Sequence, residues 1–330
     1  MRLAVALAIF MLMLPIANAS LSGESRIFVV STLEVFSSIV EEVGGDYVTS
    51  DYIIPQGSDI HDYSLTPKDI EKIKSADMIV LAGSNYFPID SKILSNVGGQ
   101  YVLDFKDYNA TLYPLGSMKK NYHGYWLYPK NAIGIARAVY IKLSEIDTVH
   151  ESYYHERYLR FLSLVNRSLS LSINLLKNSG VYGGDVLLAV PGTFYVAEAF
   201  GFNVSGVLME GPNHFSSQSD LKKYEDAINS GKIKMIINAK NLENSKAGSM
   251  AIELSKLTGV KVAYVDIFST SNYSMLMLKN AAILSSVSDV SSYSTTECYT
   301  QHYVYIIAAL SALSGVLGYL AYSYRRELLR

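Results

Sequence analysis

"PQGSDIHDYSLTPKDIEKIKSADMIVLAG", Pro55–Gly83, is the stretch that decides the fold. Its first residues are turn chemistry, proline and glycine with a short polar side chain after them. Thr66-Pro67 then opens a helix, since proline suits the first helical position where its missing N–H is not needed. The helix runs through Lys68 to Ala76 and gives way to the apolar run Met78–Ala82, which reads as a buried strand. His61 stands at the rim of this strand–loop–helix–strand unit, beside Asp59 and Asp62. A histidine there could cap the turn, but a loop at the end of a parallel strand is also where open sheets bind ligands.

Working outward, the same rhythm continues on both sides. "RIFVVST" (26–32) reads as a buried strand and "LEVFSSIVEEVGG" (33–45) as a helix stopped by its glycines. "YVTSDYII" (47–54) and "QYVLDF" (100–105) are further strands. Alternating strands and helices imply a mostly parallel sheet covered on both faces. "KNAIGIARAVYIKLSEID" (130–147) is helical, and residues 150–180 run from His150 to Gly180 without proline or an internal glycine. A helix of that length, ~45 Å, spans a small domain. The βα rhythm then resumes through "DVLLAV", "TFYVAEAFGF", "NVSGVLM", "SDLKKYEDAINSG", "KIKMIINA", "SKAGSMAIELSKLTGV" and "KVAYVDIF". The expected fold class is α/β: two parallel-sheet lobes joined by one long backbone helix, with a C-terminal transmembrane helix. The boundaries are an N-terminal lobe over 20–129, a helical link over 130–180 and a C-terminal lobe over 181–285.

Both ends read as addresses. Met1-Arg2, the apolar run from Leu3 and the small-residue site Ala17-Asn18-Ala19 make a secretory signal over 1–19. Residues 286–302 are a Ser/Thr-rich stalk. Tyr303 to Tyr324 holds 22 residues without a charge, ~33 Å as a helix and enough to span a bilayer. Arg325, Arg326 and Arg330 follow, so the tail, 325–330, is expected in the cytoplasm. The reading is a single-pass cell-surface protein with its ectodomain outside. Sequons at Asn109, Asn166, Asn203 and Asn272 suit an exported glycoprotein.

A formal net charge of −2 and the lack of a Lys/Arg-rich stretch in the ectodomain argue against nucleic acid as a partner. The single cysteine, Cys298, cannot form an internal disulfide, so the ectodomain depends on core packing. No G-x-S-x-G, P-loop, H-E-x-x-H or G-x-G-x-x-G pattern is present, and the chain is not expected to be an enzyme. Two other residues can meet His61 at strand ends: His123, in "NYHGYWLYPKNA", and Asp266, in "KVAYVDIFST". Two imidazoles and a carboxylate from three loops could hold a divalent transition metal. Each also has a structural reading, His123 in an aromatic cluster and Asp266 as a cap.

The chain resembles the metal-binding solute-binding proteins of zinc and manganese ABC importers, over most of residues 26–285. Residues 53–83 carry the most specific likeness. "YHGYWLYPKNAIGIARAV", "TFYVAEAFGF" and the unit ending in "VAYVDIF" add to it. The resemblance implies a receptor that captures Zn²⁺ or Mn²⁺ between two lobes and hands it to a membrane permease, with only small lobe shifts. It places His61, His123 and Asp266 on three of the family's four ligands. Val190 stands where the third is usual, and valine cannot bind metal. Glu210 and His214, in "MEGPNHFSS", are the nearest substitutes in sequence. His123 lies three residues before Trp126 rather than two, Ile60 replaces a proline and Tyr128 an aspartate. The usual lipid-bearing cysteine is missing, and a C-terminal helix would replace it, as suits an archaeal cell surface. The alternative is a non-transport adhesion or sensory protein that kept the fold with a degraded site. A metal-dependent hydrolase is the weakest reading, having no identified base.

Overall fold

A computed structural model describes residues 26–58, 60–211, 214–268 and 272–287. The expected signal sequence over 1–19, the expected transmembrane segment 303–324 and tail 325–330, Cys298 and the part of the expected stalk beyond Val287 lie outside the described residues. No helix among the described residues is long and apolar enough to cross a membrane.

The first half builds a four-stranded parallel sheet from β1 (Ile27–Ser31), β2 (Val48–Tyr52), β3 (Met78–Val80) and β4 (Tyr101–Leu103), in the order β2-β1-β3-β4. Central β1 buries Val29 and Val30 completely, as a strand covered on both faces must. Helix α1 (Glu34–Gly44) lays Val35, Phe36, Ile39, Val40 and Val43 into the core at helical spacing. Helix α2 (Pro67–Ser75) starts on a capping box in which Thr66 accepts from the Asp69 N–H and Asp69 accepts from the Thr66 N–H. A short helix α3 (Pro88–Leu94) precedes β4.

Two helices follow, α4 (Pro129–Ile146) and α5 (Glu151–Asn178). Helix α5 has 28 residues, ~42 Å of rise. Its buried residues Tyr154, Phe161, Val165, Ser168, Ser172 and Leu176 recur at three, four or seven positions, one stripe along one face.

The second half has its own sheet of β5 (Asp185–Leu188), β6 (Asn203–Val207), β9 (Ile233–Ala239) and β10 (Lys261–Val265), in the order β10-β9-β5-β6 and parallel throughout. Read from β6, this is the strand order of the first sheet: second, first, third, fourth. Helices α6 (Phe194–Ala199), α7 (Gln218–Asn229) and α8 (Lys246–Thr258) connect its strands. Between β6 and α7 lies a small antiparallel hairpin, β7 (Met209–Gly211) with β8 (His214–Phe215).

One helix was not legible in the sequence. Helix α9 (Tyr273–Ser285) buries one stripe, Tyr273, Leu276, Met277, Asn280, Ala281 and Leu284, but apolar Met275 is exposed while polar Ser274 and Asn280 are buried, so its apolar pattern marks no single face in the sequence. It ties the halves together: the Tyr273 N–H donates to Glu42 of α1 at 2.9 Å, its ring meets Phe161 of α5, and its hydroxyl donates to the Trp126 carbonyl at 3.0 Å.

Candidate functional site

His61 is fixed from both sides of its loop. Ile60 is buried beneath it. Two residues on, the Tyr63 hydroxyl donates to Asp69 Oδ2 at 2.8 Å, hooking the loop onto the first turn of α2. Burial works against the Asp69 charge, but hydrogen bonds from Thr66 and Tyr63 outweigh it and hold the carboxyl below its usual range. Burial and that same carboxylate push Tyr63 up to about 12, so it stays a donor.

His123 is oriented by Asn121, which is fully buried. The Asn121 amide nitrogen donates to the Pro191 carbonyl at 3.0 Å, which fixes which way the amide points. Its oxygen therefore faces His123, accepting from the His123 N–H at 3.0 Å and lying 3.3 Å from Nδ1. An acceptor at Nδ1 keeps the proton there and places the imidazole lone pair on Nε2, the arrangement a metal-binding histidine needs. Tyr195 completes the support, its hydroxyl donating to the Asn121 carbonyl at 2.6 Å.

The two imidazoles meet. Their ring centres are 5.3 Å apart and Phe87 packs against both, 6.1 Å from each. His61 is exposed and His123 half-buried, so the pair sits at the mouth of a cavity of about 90 Å³. The second half supplies the facing wall with Val190, Pro191, Gly192, Ile267 and Phe268. Gly124 lets the halves close this tightly. Its φ is +75°, and a Cβ there would fall 2.2 Å from the Gly192 carbonyl oxygen. Beside it the Trp126 indole N–H donates to the Ile267 carbonyl at 3.0 Å.

The other expected site residues are placed differently. Asp266 does not line the cavity: its carboxylate is paired with Lys279 Nζ at 3.0 Å, and Asn280 brackets its backbone, the amide oxygen accepting from its N–H and the amide nitrogen donating to its carbonyl. The wall is made instead by the two residues after it. Glu210 reaches the cavity edge, but its carboxylate accepts from the Ser117 N–H at 3.1 Å and from the Ser117 hydroxyl. His214 is exposed in a neighbouring cavity of about 590 Å³. Val190 is buried. Among the described residues no three His, Cys, Asp or Glu side chains gather closely enough to hold one metal ion. Of the three ligands expected from the sequence, the structure brings two together. The sequence signal for Asn121 is slight, an asparagine two residues before a loop histidine.

Of the sequons, Asn109, Asn166 and Asn203 are exposed. The Asn203 amide donates to the Gly183 carbonyl, and Asn272 caps α9 by accepting from the Met275 N–H.

Two α/β halves that meet over a histidine pair define a binding protein of the two-lobed solute-receptor class. The profile of the family described as "Zinc-uptake complex component A periplasmic" matches residues 29–287, and the chain belongs to that family. It is 25% identical over 253 residues to the iron-binding protein YfeA of Yersinia pestis, covering 72% of this chain and 77% of that one. It is 26% identical over 176 residues to the manganese ABC transporter substrate-binding lipoprotein PsaA of Streptococcus pneumoniae, covering 48% and 54%. That match, like the one to SloC of Streptococcus mutans at 48% of its length, spans about half of the relative. The fold is similar to that of a ZnuA crystal structure, with a TM-score of 0.69, 17% identity, and 80% of this chain and all of that one covered. It is similar too to a Mn-bound periplasmic metal-binding protein from candidatus liberibacter asiaticus, with a TM-score of 0.66 at 20% identity over the same shares.

Proposed function

We propose that this chain is the capture receptor of an ABC metal importer, taking Zn²⁺ or Mn²⁺ as cargo at His61 and His123 and delivering it to a membrane permease. The observation that carries the proposal is the imidazole pair. Metal–nitrogen distances of about 2.0–2.1 Å, at a tetrahedral angle, bring the ring centres of two shared imidazoles to about 5 Å. The rings stand 5.3 Å apart. Two imidazoles suit zinc, and an added carboxylate would move the preference toward manganese. The relatives' names specify iron, manganese or metal in general, which supports the class of cargo.

The ion's remaining positions fall to water or to a carboxylate drawn in from the second half. Asp266 and Glu210 are the candidates there, and each must first leave its present partner, Lys279 or Ser117. The tether belongs to the same proposal: the uncharged segment 303–324 would hold the receptor at the membrane, with Asn109, Asn166 and Asn203 the exposed sequons.

Thermal unfolding of the full chain in excess Zn²⁺ or Mn²⁺ tests the reading. An ion present at a hundred times its Kd stabilises by about 2.7 kcal/mol. His61→Ala should abolish the metal-dependent rise in Tm and leave the metal-free Tm within about 1 °C, since His61 is exposed. A melting curve unmoved by Zn²⁺, Mn²⁺, Fe²⁺ and Cu²⁺ would favour the non-transport surface protein. That second reading has Val190 and the missing third ligand among the described residues in its favour.

A further inference from the structure

Ser117 lies at the tip of a tight turn, Leu115–Met118, closed by two backbone hydrogen bonds of 3.0 Å between its end residues. The turn belongs to the segment between β4 and α4. Glu210 belongs to β7, beyond the second strand of the other sheet. Their contact therefore runs between the halves. The Glu210 carboxylate receives the Ser117 N–H on both oxygens and the Ser117 hydroxyl on one. Gly116 allows it: its φ is +56°, and a Cβ there would lie 2.0 Å from Glu210 Oε1. Only glycine lets the turn and the carboxylate come this close.

Four of the other links between the halves are hydrogen bonds of buried side chains to backbone carbonyls: Asn121 to Pro191, Trp126 to Ile267, Tyr195 to Asn121 and Tyr273 to Trp126. Those lie under the histidine pair and are sealed from water. The Ser117–Glu210 contact is exposed, and Glu210 lines both the small cavity of the histidines and the larger one beside it. A contact at the rim, between solvent and cavity, can open without disturbing the seam beneath.

We propose that Glu210 is the latch of the cleft: its bond to the Ser117 turn closes the mouth over the histidine pair and sets how long a bound ion stays. The latch role rests on the metal-receptor reading for its function, though the latch itself exists without metal. Charge-assisted hydrogen bonds to backbone N–H groups are the stronger kind, and closing contacts of this sort act on release more than on capture.

The test uses the full chain and three variants: Glu210→Ala, Ser117→Ala and the double substitution. Zn²⁺ release into excess chelator is followed by stopped flow, and backbone amide exchange by mass spectrometry without metal. The latch predicts release about tenfold faster in Glu210→Ala, a smaller rise in Ser117→Ala, which keeps its N–H, and no further rise in the double variant. It also predicts faster exchange over 115–118 in metal-free Glu210→Ala. Unchanged release and unchanged exchange would overturn the proposal. So would Glu210→Ala removing an oxygen ligand from the zinc X-ray absorption spectrum while Ser117→Ala changes nothing, because Glu210 would then be a ligand. Should the parent chain bind no Zn²⁺, the receptor reading fails, and the metal-free exchange alone still decides whether Glu210 latches the turn.

Discussion

In the first half, the loop after the second strand carries His61; in the second half, the loop in the same topological place is the β7–β8 hairpin, which carries Glu210 and His214. The parallel extends to the fourth strands. The chain after β4 leads to His123, and the chain after β10 leads to Asp266, Ile267 and Phe268. Two sheets of one strand order thus offer the cleft different chemistry. The first half presents two imidazoles, each fixed by neighbours. The second presents an apolar wall, with its carboxylates engaged elsewhere, Glu210 on Ser117 and Asp266 on Lys279. Strand order sets where loops meet, and the side chains on those loops set what the meeting can bind.

The comparison is broken most severely where the halves touch. Gly124→Ala adds a Cβ at a φ of +75° and sets it 2.2 Å from the Gly192 carbonyl. Backbone cannot step aside as a side chain can. The expected loss is about 3 kcal/mol or more, a fall in Tm of roughly 6–12 °C for a domain of this size. Circular dichroism melts would show it, and a fall under about 2 °C would mean that the halves have slack at this junction.

A smaller effect separates the ways the two sheets close their carboxyl ends. In the first, Asp90 is fully buried and accepts from the Thr32 hydroxyl and from the Gly83 N–H at 2.6 Å, joining the loops after β1 and β3. In the second, a neutral amide stands near the end of β9, with Asn238 Oδ1 accepting from the Ala239 N–H at 2.8 Å. Burial raises the Asp90 carboxyl to about 7, with the nearby Asp104 adding to the rise against the hydrogen bonds it accepts. The folded pKa is thus above the unfolded one. Its stabilising contribution is complete below about pH 4 and is lost as pH climbs toward 7. Asp90→Asn makes the first half like the second and should flatten this dependence. Between pH 5 and pH 8 the parent chain should lose about 2–3 kcal/mol more than the variant in urea unfolding. Parallel profiles would show that Asp90 ionises without penalty.

The same contrast explains which features the sequence displayed. The His61 unit was legible because proline, threonine and a run of apolar residues mark its turn, helix and strand locally. The long helix was legible as an uninterrupted stretch, and His123 as a loop histidine among aromatics. Helix α9 was not, since it exposes Met275 and buries Ser274 and Asn280, which blurs the apolar period of its one buried face. The hairpin carrying Glu210 escaped notice because its strands are only three and two residues long. At Asp266 the sequence leaves the partner of the carboxylate undecided. A carboxylate at the end of a buried strand reads as a ligand in one dimension, but which neighbour captures it depends on α9, the element that could not be seen.

The smallest expected effect lies on that residue. Lys279 is more than half exposed, with 60% of its side-chain surface open, so its pair with Asp266 contributes at most about 1 kcal/mol. Asp266→Asn keeps the shape, and the backbone bonds from Asn280 do not involve the carboxylate. If the second half contributes wall rather than ligand, Zn²⁺ affinity measured by competition with a chromophoric chelator should change by less than about threefold, and Tm by about 1–2 °C. The alternative is that cargo draws the carboxylate off Lys279, because a divalent ion attracts it more strongly than an exposed ammonium does. Affinity would then fall as far in Asp266→Asn as in His123→Ala, and Lys279→Met would raise it by removing the competitor. Opposite responses in those two variants would make Asp266 the third ligand; silence in both would leave the ion to the imidazole pair and water.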